Sequence, residues 1–186
     1  MSADEIGVNA ASGSDSCQWD EFHRDFVSLT WKKINVTKLT ELVADPGAGA
    51  ISTFIGITRN NFENKAVAHL SYEAYDEMAL LEMMSLCTKV RTRWPGVSKV
   101  AIEHKLGDCP VGEISVYIVV SSPHRRDSLE AVHFAIDELK ATVPIWKKEH
   151  YVGEGEGEGV GERSQWKKNA ESPQPILSVF SAKSEA

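Results

Sequence analysis

Three lysines and a glutamate crowd into the stretch Leu139-Lys140-Ala141-Thr142-Val143-Pro144-Ile145-Trp146-Lys147-Lys148-Glu149. Lys140 falls where an amphipathic helix should make its last turn. Pro144 has no N–H to continue the ladder, and Lys147 and Lys148 follow in extended chain that can fold back. Ammonium groups gathered where water is partly excluded favour loss of a proton from one of them, so a lysine here suits a general base or nucleophile near neutral pH. The competing reading is solvated surface, because last-turn lysines complement the helix dipole and charge runs commonly face water. Spacing alone leaves both open.

A second basic group, His124-Arg125-Arg126, lies between a strand's end at Ser121-Ser122-Pro123 and a helix's start. Free N–H groups and the positive end of the dipole already favour an anion there. A histidine and two guanidiniums suit a phosphate; the alternative is a turn whose side chains simply face solvent. Lys140 stands about 15 residues further on, which along a helix is about 20 to 24 Å. One small ligand cannot touch both ends of such a helix within one chain. Either the pocket is long, or a second copy supplies one end across a two-fold axis.

The elements that must position these groups read as follows. Residues 26–30 alternate as a first strand, and 37–44 form a short helix stopped by Asp45-Pro46-Gly47. Residues 51–58 and 67–75 read as two strands of a hairpin joined by the polar 59–66 loop, with Ala68, Leu70, Tyr72 and Ala74 sharing a face. Asp76 reads as the cap of a long helix with Leu80, Met83, Cys87, Val90 and Trp94 on its core stripe. A strand holding Val100 and Ile102, a turn over 106–112 and a strand over 113–120 follow. Asp127 with Glu130 reads as a capping pair for the second long helix, which carries Leu129, Val132, Ile136, Leu139 and Val143. The order βα-ββα-ββα predicts an α+β fold, a mixed or antiparallel sheet with hairpins packed against two long helices and one short one.

Residues 1–22 are small and polar and read as a flexible extension. A single domain spans 23–170 and includes an acidic, glycine-rich loop over 153–162. The tail 171–186 contains Ile176-Leu177-Ser178-Val179-Phe180, a segment suited to docking a partner. At 186 residues, 42% hydrophobic and 25% charged, the chain holds one sizeable core. A net charge of −7 and a pI near 5.4 argue against a general nucleic-acid or membrane-surface binder. Cys17, Cys87 and Cys109 form no CxxC pair or disulfide framework, and no run approaches the about 18 apolar residues of a membrane span, so a cytosolic setting is expected. The histidines outside the basic cluster, His23, His69, His104, His133 and His150, show no short ligand spacing, so a metal site is not indicated. Hydrolase-elbow, P-loop and dinucleotide motifs are absent.

The separated motifs Phe54-Ile55-Gly56-Ile57-Thr58-Arg59-Asn60, Tyr72-Glu73-Ala74-Tyr75, Ser121-Ser122-Pro123-His124-Arg125, and Leu139-Lys140 through Pro144-Ile145-Trp146-Lys147-Lys148-Glu149 resemble the large, catalytic subunit of molybdopterin synthase. The resemblance implies a hammerhead-like fold and a sulfurtransferase that converts cyclic pyranopterin monophosphate into the dithiolene of molybdopterin, without metal or redox cofactor. It implies a small ubiquitin-like partner whose C-terminal Gly-Gly thiocarboxylate supplies the sulfur, and a homodimer of this chain at the centre of a heterotetramer. By motif, Lys140 corresponds to an essential lysine near the inserted tail, and Lys147, Lys148 and Glu149 line the same pocket. His124 and Arg125 hold the phosphate or pterin, with Arg59 contributing from its loop. Pro123, Arg126 and the 153–162 insertion depart from the family pattern. The alternative is a non-catalytic module that binds a ubiquitin-like tail and a phosphorylated small molecule.

Overall fold

The computed structural model describes residues 13–22 and 24–152 and the backbone of 163–167. In chain order its elements are β1 (Ser16–Trp19), β2 (Asp25–Thr30), α1 (Val36–Leu42), β3 (Ala50–Ile57), β4 (Asn61–Phe62), β5 (Lys65–Ala74) and α2 (Asp76–Arg93). There follow β6 (Lys99–Lys105), β7 (Gly107–Pro110), β8 (Ile114–Ser122), α3 (Arg125–Thr142), β9 (Ile145–Tyr151) and β10 (Arg163–Lys167). The first sheet runs β1-β2-β6-β8-β3, with β2 and β6 parallel and the other neighbours antiparallel. The second runs β10-β9-β5-β4, with β7 also paired to β5.

Both faces of the first sheet's centre are covered, which is why β8 reads as a nearly unbroken apolar run. Val27, Leu29, Val100, Ile102, Val116, Ile118 and Val120 join the stripes of α2 and α3 in one core. Leu70 and Tyr72 of β5 belong to that same core, so the two sheets share it. On the opposite face Ala101, Tyr117 and Val119 meet Ile34, Leu39 and Val43 around α1. The seven-residue α1 does not reach the edge strand β3, whose Ile51, Ile55 and Ile57 are 41%, 46% and 55% exposed. These lie on the α1 side, because Ile55 pairs in register with Tyr117 and Thr53, two residues before, pairs with Val119.

The α+β architecture with two 18-residue helices and a short one agrees with the sequence reading. Its connectivity differs in four places. The 1–22 extension contains β1, which backbone pairing to β2 and the packing of Trp19 on Phe26, centroids 4.9 Å apart, hold in place. Strands β3 and β5 are not a hairpin: β3 pairs with β8, and the chain crosses to the other sheet. The 59–66 segment forms its own small hairpin of β4 and β5, closed by Glu63 and Asn64 at φ of 49° and 62°, the geometry of a tight primed turn. The 106–112 turn contains β7, drawn into extended pairing with β5 despite its Gly-Asp-Cys-Pro composition.

Helix starts also move. Helix α3 begins at Arg125 with His124 as its N-cap, so Asp127 sits in the first turn and does not cap it. Glu130 instead takes Nε of Arg126 at 2.7 Å and Nε1 of Trp94 at 3.2 Å. Leu129 faces outward at 59% exposure, and Ala131, Val132, Ala135, Ile136 and Leu139 make the buried stripe. Tyr75, not Asp76, is the N-cap of α2. Cys87 is fully buried in the core, as its place on the stripe predicted. The loop 153–162, the tail 171–186 and the side chain of Trp166 lie outside the described residues.

Candidate active site

The lysine end is built by the break after α3. Lys140 is half-buried in the last turn, the N–H of Val143 closes the helix on Leu139 O at 3.1 Å, and Pro144 turns the chain into β9. Strand β9 then pairs antiparallel with β5 in the register Tyr72↔Lys147, Ser71↔Lys148, Leu70↔Glu149. Side chains alternate along a strand, so Lys147, Glu149 and Tyr151 stand on the face of buried Leu70 and Tyr72. Lys148 is sent to the opposite face, with Ser71 and His150. It stands apart from Lys147 and Glu149, because a regular strand cannot turn three consecutive side chains to one side. On Lys148's side the ring of His150 stacks on that of His69 at 4.0 Å, and Ser71 Oγ lies 3.0 Å from His150 Nε2 and donates to Asp108 at 2.8 Å.

Glu149 is only 2% exposed and is held from both sides. Nζ of Lys147 lies 3.2 Å from Oε1, and the Tyr151 hydroxyl donates to Oε2. That hydrogen bond, with some desolvation and the carboxylate's charge, pushes Tyr151 up to about 12, so the phenol keeps its proton. Burial likewise pushes Tyr72 up to about 12. Tyr72 meets His104 edge-on at 4.9 Å, and burial holds that imidazole at about 4, hence neutral, with Nδ1 2.8 Å from Lys105 O. Tyr72, Tyr151 and His104 are therefore uncharged.

The anion end lies at the start of α3. Strand β8 ends at Ser122, whose carbonyl accepts from the N–H of Gly49 at 3.0 Å and whose hydroxyl accepts from the N–H of His124 at 3.4 Å. Gly49 is needed there: a Cβ would stand 2.5 Å from the carbonyl oxygen of Pro123. Buried Ser128 pins the first helical turn, with its hydroxyl 2.7 Å from that of Ser52 on β3 and donating to Arg125 O at 3.1 Å. His124 and Arg125 are thereby fixed by backbone while their side chains stay exposed at the positive end of the helix. Arg126 turns away into its ion pair with Glu130. Arg59 is exposed just past β3, its guanidinium carbon 5.8 Å from the centroid of Phe62.

One chain thus brings Lys147 to Glu149, and His124 to Arg125, and holds the two groups apart. Strand β3 spans the gap. Its first residue, Ala50, pairs with Ser122 beside His124. At its far end the carbonyl of Gly56 accepts from Ser115 Oγ at 3.3 Å, and that hydroxyl also bonds the Tyr72 phenol, the in-register neighbour of Lys147. Helix α3 spans the same gap, about 22 Å from Arg125 to Lys140 at 1.5 Å per residue. Tyr151 and Tyr72 were missed by the sequence reading. The i, i+2, i+4 spacing of Lys147, Glu149 and Tyr151 is the signal that finds the first of them once the segment is read as a strand.

The family model described as "MoaE protein" matches residues 29–142, a range that includes Arg59, His124, Arg125 and Lys140 and stops short of β9. A curated protein of Aedes aegypti named molybdopterin synthase catalytic subunit 2 is 53% identical over 147 residues, 79% of this chain and 91% of the relative. The molybdopterin synthase catalytic subunit of Taeniopygia guttata is 51% identical over 148 residues, 80% of this chain and 90% of that protein. A crystal structure of molybdopterin synthase from Staphylococcus aureus matches with a TM-score of 0.67 at 32% identity, covering 75% of this chain and 94% of the other.

Proposed function

Because this chain belongs to the MoaE protein family, we propose that its two separated basic groups are the halves of one sulfur-transfer site, joined across a pair of chains. Family membership makes it a sulfurtransferase subunit of molybdopterin synthesis. The sulfur comes as the C-terminal thiocarboxylate of a small ubiquitin-like partner, and the acceptor is cyclic pyranopterin monophosphate. His124, Arg125 and the free N–H groups at the start of α3 hold the phosphate, and Arg59 adds a second positive contact. The thiocarboxylate sulfur displaces an oxygen substituent from a carbon of the precursor, that oxygen leaving with the bonding pair. Water then attacks the acyl carbon of the resulting thioester, the acyl carbon–sulfur bond breaks, the sulfur stays on the precursor as a thiolate, and the tail leaves as a carboxylate. Lys140 and Lys147 stabilise the oxyanion that develops at the acyl carbon.

The observation that carries this reading is the placement of the two groups at opposite ends of β3. That strand is an uncharged edge of eight residues with three exposed isoleucines, the kind of edge that protein surfaces usually protect unless it is paired. Antiparallel pairing of two β3 edges about a two-fold axis sets the His124 end of one copy against the Arg59 and Lys147 end of the other. One small ligand then reaches both. A core common to both sheets supports treating 23–170 as one catalytic domain, with the 171–186 tail left for the partner, in the cytosol.

The test is reconstitution with thiocarboxylated small subunit and cyclic precursor, followed by assay of the dithiolene product. Lys140→Ala is expected to lose turnover on the order of 100-fold. Full turnover in that variant overturns the assignment.

A further inference from the structure

We propose that Tyr151 is a positioning residue of this site: its phenol holds one oxygen of Glu149 so that the other is left to fix the Lys147 ammonium in the crevice. The inference rests on the assignment of Lys147 made above, and it concerns a residue outside both basic groups.

A carboxylate at 2% exposure needs donors for both oxygens, and here each has one. Oε2 takes the Tyr151 hydroxyl, and Oε1 faces Lys147 Nζ at 3.2 Å. The three side chains descend from alternate positions of one strand that is paired on both edges, with β5 on one side and β10 on the other, so their backbones are fixed relative to one another. Tyr151 is itself tied down: the N–H of Val152 bonds Ala66 O at 2.9 Å, and Lys65 Nζ stands 5.6 Å from the centroid of the ring. Because the phenol stays protonated up to about 12, it is a donor throughout the range in which the enzyme works.

Without that hydroxyl, the Oε2 of a carboxylate that is itself only 2% exposed loses its donor. The carboxylate rotates to share Lys147 between both oxygens, and the ammonium is drawn off its position. A misplacement of that size slows the chemical step without weakening the binding of a ligand that Tyr151 does not touch.

The experiment uses the full chain assembled with thiocarboxylated small subunit. Tyr151→Phe is expected to lower kcat about tenfold and to leave KM for the precursor within about twofold. In a Glu149→Ala background the same substitution should add nothing. An unchanged kcat, or an equal loss in the Glu149→Ala background, overturns the proposal. If Tyr151→Phe does not fold, Tyr151→Gln against Tyr151→Met makes the same comparison, with the donor-keeping variant expected to be the more active and equal rates overturning the inference. Lys147→Ala run alongside separates the failures: full turnover there removes the site assignment itself, whereas its loss beside an unaffected Tyr151→Phe removes only the role of Tyr151.

Discussion

Lys147 and Lys148 are consecutive in the chain and stand on opposite faces of one sheet, the first in register with buried Tyr72 and the second with Ser71. Their substitutions should therefore diverge. Lys147→Ala is expected to lower kcat on the order of 100-fold and Lys148→Ala less than about threefold, because only the first removes a charge from the crevice. Turnover measured under saturating precursor and small subunit decides it, and equal losses would contradict the register argument.

Gly49→Ala tests the scaffold of the anion end. The added methyl would stand 2.5 Å from a backbone oxygen, that of Pro123, so the loop leading into His124 must shift. The expected result is a KM for the precursor raised about tenfold with a stability loss of about 1 to 3 kcal/mol. A destabilised variant with unchanged KM would separate the loop from the binding of the phosphate.

Asp25 and Arg91 fasten α2 to the first sheet. Asp25 is 3% exposed, both its oxygens meet the guanidinium, and Arg91 also donates to Val97 O at 2.9 Å and Ser98 O at 3.2 Å. Asp25→Ala leaves that part-buried guanidinium without its anion and should cost about 2 to 3 kcal/mol in urea unfolding. Asp25→Leu with Arg91→Met should cost less than the single change. A larger loss in the double variant would show that the pair contributes more than compensation of its own desolvation.

His104 sets part of the response to acid. Burial holds it at about 4 in the folded chain against an ordinary value of 6.5, so below 6.5 the unfolded chain binds a proton that the folded one does not. Stability from this group is complete above 6.5, falls as the pH drops toward 4, and changes no further below that. The total is about 3 kcal/mol. His104→Gln should flatten this part of the profile when urea midpoints are taken across the window, and an unchanged slope would assign the acid sensitivity elsewhere.

Helices were legible in the sequence because their stripes are local: Met83, Cys87 and Val90, or Val132, Ile136 and Leu139, repeat at steps that a single element produces. The two basic groups were legible for the same reason, each lying at the junction of two elements. What could not be read is the choice of partner strand. Nothing within 51–58 or 67–75 says that one joins β8 and the other β9, because both have β-branched and aromatic content and the pairing is decided by residues some 60 or more positions away. Lys147, Lys148 and Glu149, expected in extended chain and grouped in one pocket by the resemblance, divide once that chain is paired with β5, and Tyr151 stands with Lys147 and Glu149.

If the two halves of the site meet across copies, inactive chains should rescue one another. A Lys147→Ala chain retains His124 and Arg125, and a chain carrying His124→Ala and Arg125→Ala retains Lys147. Each alone forms dimers with no complete site. Mixed after dissociation and reassembly, half of the dimers are hybrids, and each hybrid restores one of its two sites, so turnover should recover to about a quarter of the unsubstituted level. Ile55→Lys in both chains places like charges on the paired edge and should abolish the recovery along with the dimer, leaving a folded monomer by light scattering. Absence of recovery between chains that are shown to exchange would place both halves within one copy, and the β3 edge would then need another occupant.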